Sequence, residues 1–132
     1  MSALEQNIEK LNRHLARFAE AGILHRIAGA DHTGGGGIFE TQSPVDKSTI
    51  CQVARGDAGD IDKAAKAAKA AFPAWRDMPA KQRKAILIKI AEGIEARAEE
   101  IALCECWDTG QAWRFMSKAA IRGAENFRYF AD

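Results

Sequence analysis

Apolar residues recur at helical steps along the first twenty residues: Leu4, Ile8, Leu11, Leu15 and Phe18, set against Glu5, Lys10, Asn12, Arg13 and Arg17. That spacing predicts an amphipathic helix over 1–21, stopped by Gly22. Its polar face mixes both signs, which favours packing on protein over lying on a membrane. Ile23 to Ile27 suits a short strand. The run Asp31 to Gly37 (DHTGGGG) then breaks regular structure, and four consecutive glycines predict a mobile surface turn. No Lys-Ser/Thr follows the glycines and strand formers come next, so a phosphate-binding loop is not supported.

Ile38 to Ala54 predicts a hairpin. Ile38, Phe39 and Thr41 on one side, and Thr49, Ile50, Cys51 and Val53 on the other, favour strand, with Ser43-Pro44-Val45-Asp46-Lys47-Ser48 as the turn. Three helices follow. Asp57 and Asp60 form a cap pair for an Ala-rich helix over Asp60 to Phe72, ended by Pro73. Pro79 opens the next, with a stripe of Ile86, Leu87, Ile90, Ile94, Ala98 and Ile101 that runs to Asp108-Thr109-Gly110. Gly93 weakens its middle. The last runs from about Gln111 to Ala131, with Trp113, Met116, Ala120, Ala124, Phe127 and Ala131 on one face. A single hairpin is little sheet for so many apolar helix faces, so the sheet that covers them is expected outside these residues.

Composition narrows the class without naming a chemistry. The 132 residues carry 19 Lys plus Arg against 18 Asp plus Glu, which leaves no footprint for nucleic acid. No apolar run approaches the ~20 residues that span a bilayer, and Met1 to Lys10 lacks the continuous apolar stretch of a signal peptide. A cytoplasmic, reducing location is expected. Cys51, Cys104 and Cys106 form no disulfide framework, and Cys104 and Cys106 point roughly 200° apart on a helix, unsuited to sharing a metal. His14, His25 and His32 lie in the first third without ligand spacing. There is no H-E-x-x-H, no G-x-S-x-G and no G-x-G-x-x-G after a strand. No catalytic residue and no cofactor-binding residue can be assigned within the chain.

From Phe39 onward, however, the order of motifs resembles the opening of the aldehyde dehydrogenase superfamily. Phe39-Glu40-Thr41-Gln42-Ser43-Pro44 is similar to its first strand and turn. Asp57 through Asp60-Ile61-Asp62 to Ala71-Phe72-Pro73-Ala74-Trp75 is similar to its Ala-rich helix. Pro79 to Ile86, with Arg83 four residues after Pro79, is similar to its P-x-x-R helix start, Asp108-Thr109-Gly110 to its D-T/N-G helix end, and Arg128-Tyr129-Phe130-Ala131 to its closing R-Y-F/Y-A. Departures are Ser43 for the usual Asn, Lys47-Ser48 for Gly-Glu, Met78 for a Thr or Ser cap, and Gln111-Ala112 for Lys-Pro. Within the superfamily the chain resembles the bacterial hydroxymuconic-semialdehyde and betaine-aldehyde types, and Ala71 to Trp75 with Glu125-Asn126-Phe127 tilt the resemblance toward the semialdehyde type.

The resemblance implies an α/β protein, seen in this segment as α+β. Residues 1–26 would form a helical extension, and 27–132 the N-terminal part of a Rossmann-like cofactor domain. It implies oxidation of an aldehyde to a carboxylic acid with NAD or NADP, through a cysteine thioester and a water activated by glutamate. Those residues lie downstream in the family, so this segment alone is expected to be inactive. It also implies a homodimer or homotetramer, and a monovalent cation held by Thr41, Gln42 and Asp108. A turn-forming role for Asp108 is the alternative. The rival reading of the whole chain is a stand-alone helical interaction module, or a truncated relative that binds a full-length subunit.

Overall fold

The structure is a computed structural model that describes residues 2–132. Helix α1 spans Ala3–Ala21. A reciprocal cap starts it, the Glu5 amide donating to Ser2 Oγ and the Ser2 amide to Glu5 Oε2. Gly22 ends it at a positive φ of 68°, a conformation that favours glycine. The chain then turns onto the hairpin, where the Ile23 amide donates to Gln52 O and the Ala54 amide to Ile23 O.

Two small antiparallel sheets follow. Strands β1 (His25–Ile27) and β2 (Ala30–His32) pair His25 with His32 across a tight turn. Ala28 and Gly29, both at positive φ, supply the turn geometry that matches strand twist. The expectation of irregular structure from Asp31 onward is therefore corrected: Asp31 and His32 are strand residues, because this turn folds them back onto β1. The glycines are not a free turn either. The Gly35 amide donates to Asp60 Oδ2 at 2.7 Å and the Gly36 amide to Arg55 O at 3.0 Å. A Cβ on Gly36 would lie 2.7 Å from Arg55 O, so the small residue lets backbone meet backbone. Strands β3 (Ile38–Gln42) and β4 (Thr49–Ala54) form the expected hairpin, Ile38 opposite Ala54, and Ile23 adds a single parallel bridge to Val53. Ile38 and Phe39 remain exposed, so this hairpin has an uncovered edge.

The three expected helices are five. Helix α2 (Ala58–Asp77) starts on the Asp57–Asp60 capping box and continues through Pro73 instead of stopping there. Proline removes one amide donor, while the carbonyls at the helix end gain a partner: Arg83 donates to Arg76 O and Met78 O. The stretch expected as one helix from Pro79 to Asp108 is α3 (Ala80–Ala96) and α4 (Ala98–Thr109). The break falls at Arg97, not at Gly93. There φ −116° and ψ 19° interrupt the ladder, and the Arg97 guanidinium pairs with both oxygens of Glu100. The last segment likewise divides into α5 (Trp113–Met116) and α6 (Ala119–Ala131).

The core is built from small residues. Ala91 and Ala124 are fully buried where α3 and α6 meet, and Ala102, Leu103, Met116 and Ala120 continue it. Alanine at the contact brings helix axes close, and Arg128 of α6 reaches Glu95 of α3 at 2.6 Å. Helix α1 lies against α4 and β4, with Leu11 buried beneath it and Lys10–Glu99 and Arg17–Glu100 pairs along its edge. The outer faces are strongly apolar: Ile61, Tyr129 and Phe130 are 70–77% exposed. Among the described residues no helix is long and apolar enough to cross a membrane.

Candidate functional site

The far end of the hairpin is stitched to the end of α4. Ser43 is fully buried; its hydroxyl donates to Trp107 O at 2.7 Å and accepts from the Val45 amide at 3.2 Å. The Ser43 amide donates to Ser48 O, closing the turn, and the Ser48 side chain first and its amide second hydrogen-bond the Asp46 carboxylate and lower its pKa. Helix α4 ends at Gly110 in the left-handed conformation, whose amide donates to Cys106 O. A Cβ on Gly110 would meet the Pro44 ring at 3.1 Å, so glycine serves both the cap and the contact.

This stitching brings two of the three sequence-predicted cation residues together. Thr41 Oγ1 lies 3.4 Å from Asp108 Oδ1, a long hydrogen bond. Gln42 follows Thr41 on β3 and is exposed. The ladder shifts register between them, Thr41 facing Cys51 and Gln42 facing Thr49, so Ile50 is extra on the other strand. A bulge interrupts pairing and frees polar backbone groups. The C-terminal end of α4 adds partial negative charge beside the Asp108 carboxylate. Hydroxyl, carboxylate and backbone oxygens are hard donors, the chemistry that suits an alkali cation. Among the described residues no group of three or more His, Cys, Asp or Glu could hold a metal, so backbone oxygens would have to complete such a site.

Beside Thr41 and Asp108 opens a cleft of about 340 Å³, lined chiefly by Leu15, Ile23, Ile50, Cys51, Ile101 and Cys104. Neither cysteine is poised as a nucleophile. Burial pushes up the Cys51 thiol pKa, and the Asp108 charge adds to it. Cys104 is raised by burial and by Glu100, and Cys106 by burial and Glu105. A reactive thiolate needs the opposite surroundings. His25 sits under Gly34 and Gly56 with its Nε2 buried and without a hydrogen-bond partner.

Sequence reasoning missed two anchors. In sequence Ser43 reads as a turn residue and as a departure from asparagine, and its bond to Trp107, 64 positions away, leaves no local signal. Asp60 was seen as a helix cap, but not as the acceptor for the glycine loop. The two amides of Gly35 and Asp57 hold its pKa down at about 2. Asp60 is 5% exposed, and burial alone would raise its pKa, so these hydrogen bonds outweigh it.

The profile of the "Aldehyde dehydrogenase family" matches residues 32–132. A probable aldehyde dehydrogenase of Mycobacterium tuberculosis is 44% identical over 97 residues, covering 73% of this chain and 19% of that protein. One from Streptomyces coelicolor is 35% identical over 130 residues, covering 92% of this chain and 26% of that protein. Among solved structures, HpcC from Thermus thermophilus superposes with a TM-score of 0.88 at 39% identity, over 93% of this chain and 24% of that one. PnpE in complex with nicotinamide adenine dinucleotide superposes with a TM-score of 0.77 at 39% identity, over 83% and 23%. The chain thus spans about a fifth of the length of the first curated relatives it matches. On motif order, fold and identity together, the chain belongs to the aldehyde dehydrogenase family.

Proposed function

We propose that these residues form the N-terminal part of an enzyme that oxidises an aldehyde to a carboxylic acid with NAD(P)+. The observation that carries this reading is the family match over residues 32–132, in a chain that keeps the relatives' backbone. In the proposed reaction a cysteine outside these residues attacks the aldehyde, hydride passes to the nicotinamide, and water activated by a glutamate hydrolyses the thioester. The raised pKa values of Cys51, Cys104 and Cys106 support assigning that step to none of them.

Residues 1–26 are proposed as a helical extension and 27–132 as the first part of the cofactor domain. Thr41, Gln42 and Asp108 are proposed to hold a monovalent cation that ties the hairpin to α4. 5-Carboxymethyl-2-hydroxymuconate semialdehyde is the proposed substrate, on the motifs at Ala71–Trp75 and Glu125–Phe127. The assembly is proposed as a cytoplasmic homodimer or homotetramer. The exposed Ile61, Tyr129 and Phe130 favour a second reading, an interaction module that docks on a full-length subunit.

The test compares the 132-residue chain with the longest polypeptide its reading frame encodes. Absorbance of reduced cofactor is followed with NAD+, NADP+ and a panel of aldehydes. The longer polypeptide should turn over and the 132 residues should not. Turnover by the short chain that is lost in Cys104→Ser or Cys106→Ser would overturn the assignment of roles. For the cation, Asp108→Ala should flatten the dependence of melting temperature on potassium and sodium; equal dependence in wild type and variant counts against the site.

A further inference from the structure

The cleft between α1, the hairpin and α4 is charged unevenly along its length. Helix α4 with its cap forms one wall from Arg97 to Asp108, a rise of roughly 16 Å. At the start of that wall the charges answer one another: Arg97 and Arg17 of α1 both pair with Glu100. At its end they do not. Among the described residues Glu105 and Asp108 make no ion pair, and the Asp108 carboxylate has only the Thr41 hydroxyl, 3.4 Å from Oδ1. Between the two ends the walls are apolar, with Leu15 of α1, Ile50 of β4 and Ile101 of α4 half-buried around the opening.

An unanswered carboxylate is unfavourable at this place. Asp108 lies in the last turn of α4, where the helix dipole is negative and disfavours a further negative charge. Its field reaches across the cleft: after burial, Asp108 is the next cause that raises the Cys51 thiol pKa on the facing strand. A cation would relieve the charge. A bare ion would use only the oxygens around Thr41 and Asp108, while an ion with an apolar tail would also take Leu15, Ile50 and Ile101 out of water. The room suffices: the cleft holds about 340 Å³, and an apolar cavity of about 150 Å³ already admits benzene.

We propose that this cleft binds a primary ammonium ion on a short apolar arm, the head between Asp108 and Thr41 and the arm along Ile101, Ile50 and Leu15. A primary ammonium carries three donors, enough for the Asp108 carboxylate, the Thr41 hydroxyl and one further oxygen. Binding requires no aldehyde oxidation. It is read on the 132-residue chain in buffer free of sodium and potassium, so its failure leaves both the proposed reaction and the proposed alkali ion untouched.

The experiment titrates the isotopically labelled chain with hexylammonium, hexanol and ammonium chloride at low ionic strength, following the backbone amide signals of residues 50–51 and 101–108. Hexylammonium should shift these signals saturably, with half-saturation below about 10 mM, the range of a weak charge-assisted site. Hexanol has the arm without the charge, and ammonium the charge without the arm; each should bind at least about fivefold more weakly. Asp108→Asn keeps the shape of the side chain and should weaken hexylammonium by about fivefold or more. A second reading needs no variant, because Cys104 lines the cleft. Saturating hexylammonium should slow its alkylation, located by peptide mass, by about threefold or more, and ammonium at the same concentration should not. Equal binding of hexanol would reduce the cleft to an apolar hollow, and equal binding of ammonium to a counter-ion site. Either outcome, an unsaturable titration, affinity unchanged in folded Asp108→Asn, or alkylation of Cys104 at full rate under saturation overturns the proposal.

Discussion

The loop-and-hairpin end and the helical end of this chain solve the same problem differently. At the first, polar groups carry the structure. Asp60 collects two amides, Ser43 reaches Trp107, and glycine backbone lies directly on Arg55 O. At the second, α3 and α6 meet through Ala91 and Ala124, while Tyr129, Phe130 and Phe115 project outward. The first end is held by these polar contacts, although the buried His25 Nε2 has no partner and Ile38 and Phe39 stay exposed. The second holds together on small residues and leaves its large ones without neighbours. Where charged hydrogen bonds and close backbone contact set the geometry, substitutions should act by geometry; where small residues set it, they should act by volume.

The sharpest way to break the contrast is in the glycine loop. Gly36→Ala puts a methyl 2.7 Å from Arg55 O and 3.0 Å from Gly56 O, neither of which can rotate away. It should destabilise by about 2–4 kcal/mol in urea unfolding. A change within 0.5 kcal/mol, on the order of an ordinary surface substitution, would mean the loop is free after all. Asp60→Asn attacks the same contact by charge. The folded pKa of about 2 lies below the ordinary 3.8, so the contribution of Asp60 is present above about pH 4 and is lost as pH falls through 2. The gap in melting temperature between wild type and Asp60→Asn should therefore narrow across that window; a constant gap would place the effect elsewhere.

At the helical end, Ala124→Leu forces a larger side chain between α3 and α6 where Ala124 has no exposed surface. It should destabilise by about 1–3 kcal/mol by overpacking. Stabilisation instead would show that the two helices do not meet as closely as described. Ser43→Ala, back at the hairpin, removes one buried hydroxyl and leaves the Val45 amide without its acceptor. A loss of about 1–2 kcal/mol is expected, together with a weaker cation response if the turn positions Thr41 and Asp108.

What could be read from sequence followed periodicity. The hairpin, the Asp57–Asp60 cap and the stop at Gly22 are local patterns, and each is present, while the stripes over 86–101 and 113–131 are each divided between two helices. The misplaced boundaries lie where side chains meet backbone ends: Arg83 donates to the carbonyls of Arg76 and Met78 at the end of α2, and Arg97 pairs with Glu100, which also meets Arg17 of α1, where α3 gives way to α4. Of the candidate site, Thr41, Gln42 and Asp108 were legible only through family motifs, since no spacing of residues 67 apart announces a contact.

The smallest expected effect sharpens the comparison most. Gly93 sits within α3, is exposed, and a Cβ there would meet nothing within 4 Å. In a helix interior glycine is about 0.5–1 kcal/mol less favourable than alanine, because the unfolded chain loses more freedom on folding. Gly93→Ala should therefore stabilise the isolated chain by about that amount, unlike Gly36→Ala, which makes the same chemical change with the opposite sign. The difference isolates surroundings from propensity. If the proposed longer enzyme covers the helical face, the same substitution there meets a neighbouring surface and should lose its benefit or reverse it. Equal stabilisation of short and long polypeptides, measured by urea unfolding side by side, would mean that this part of α3 stays open to solvent in both.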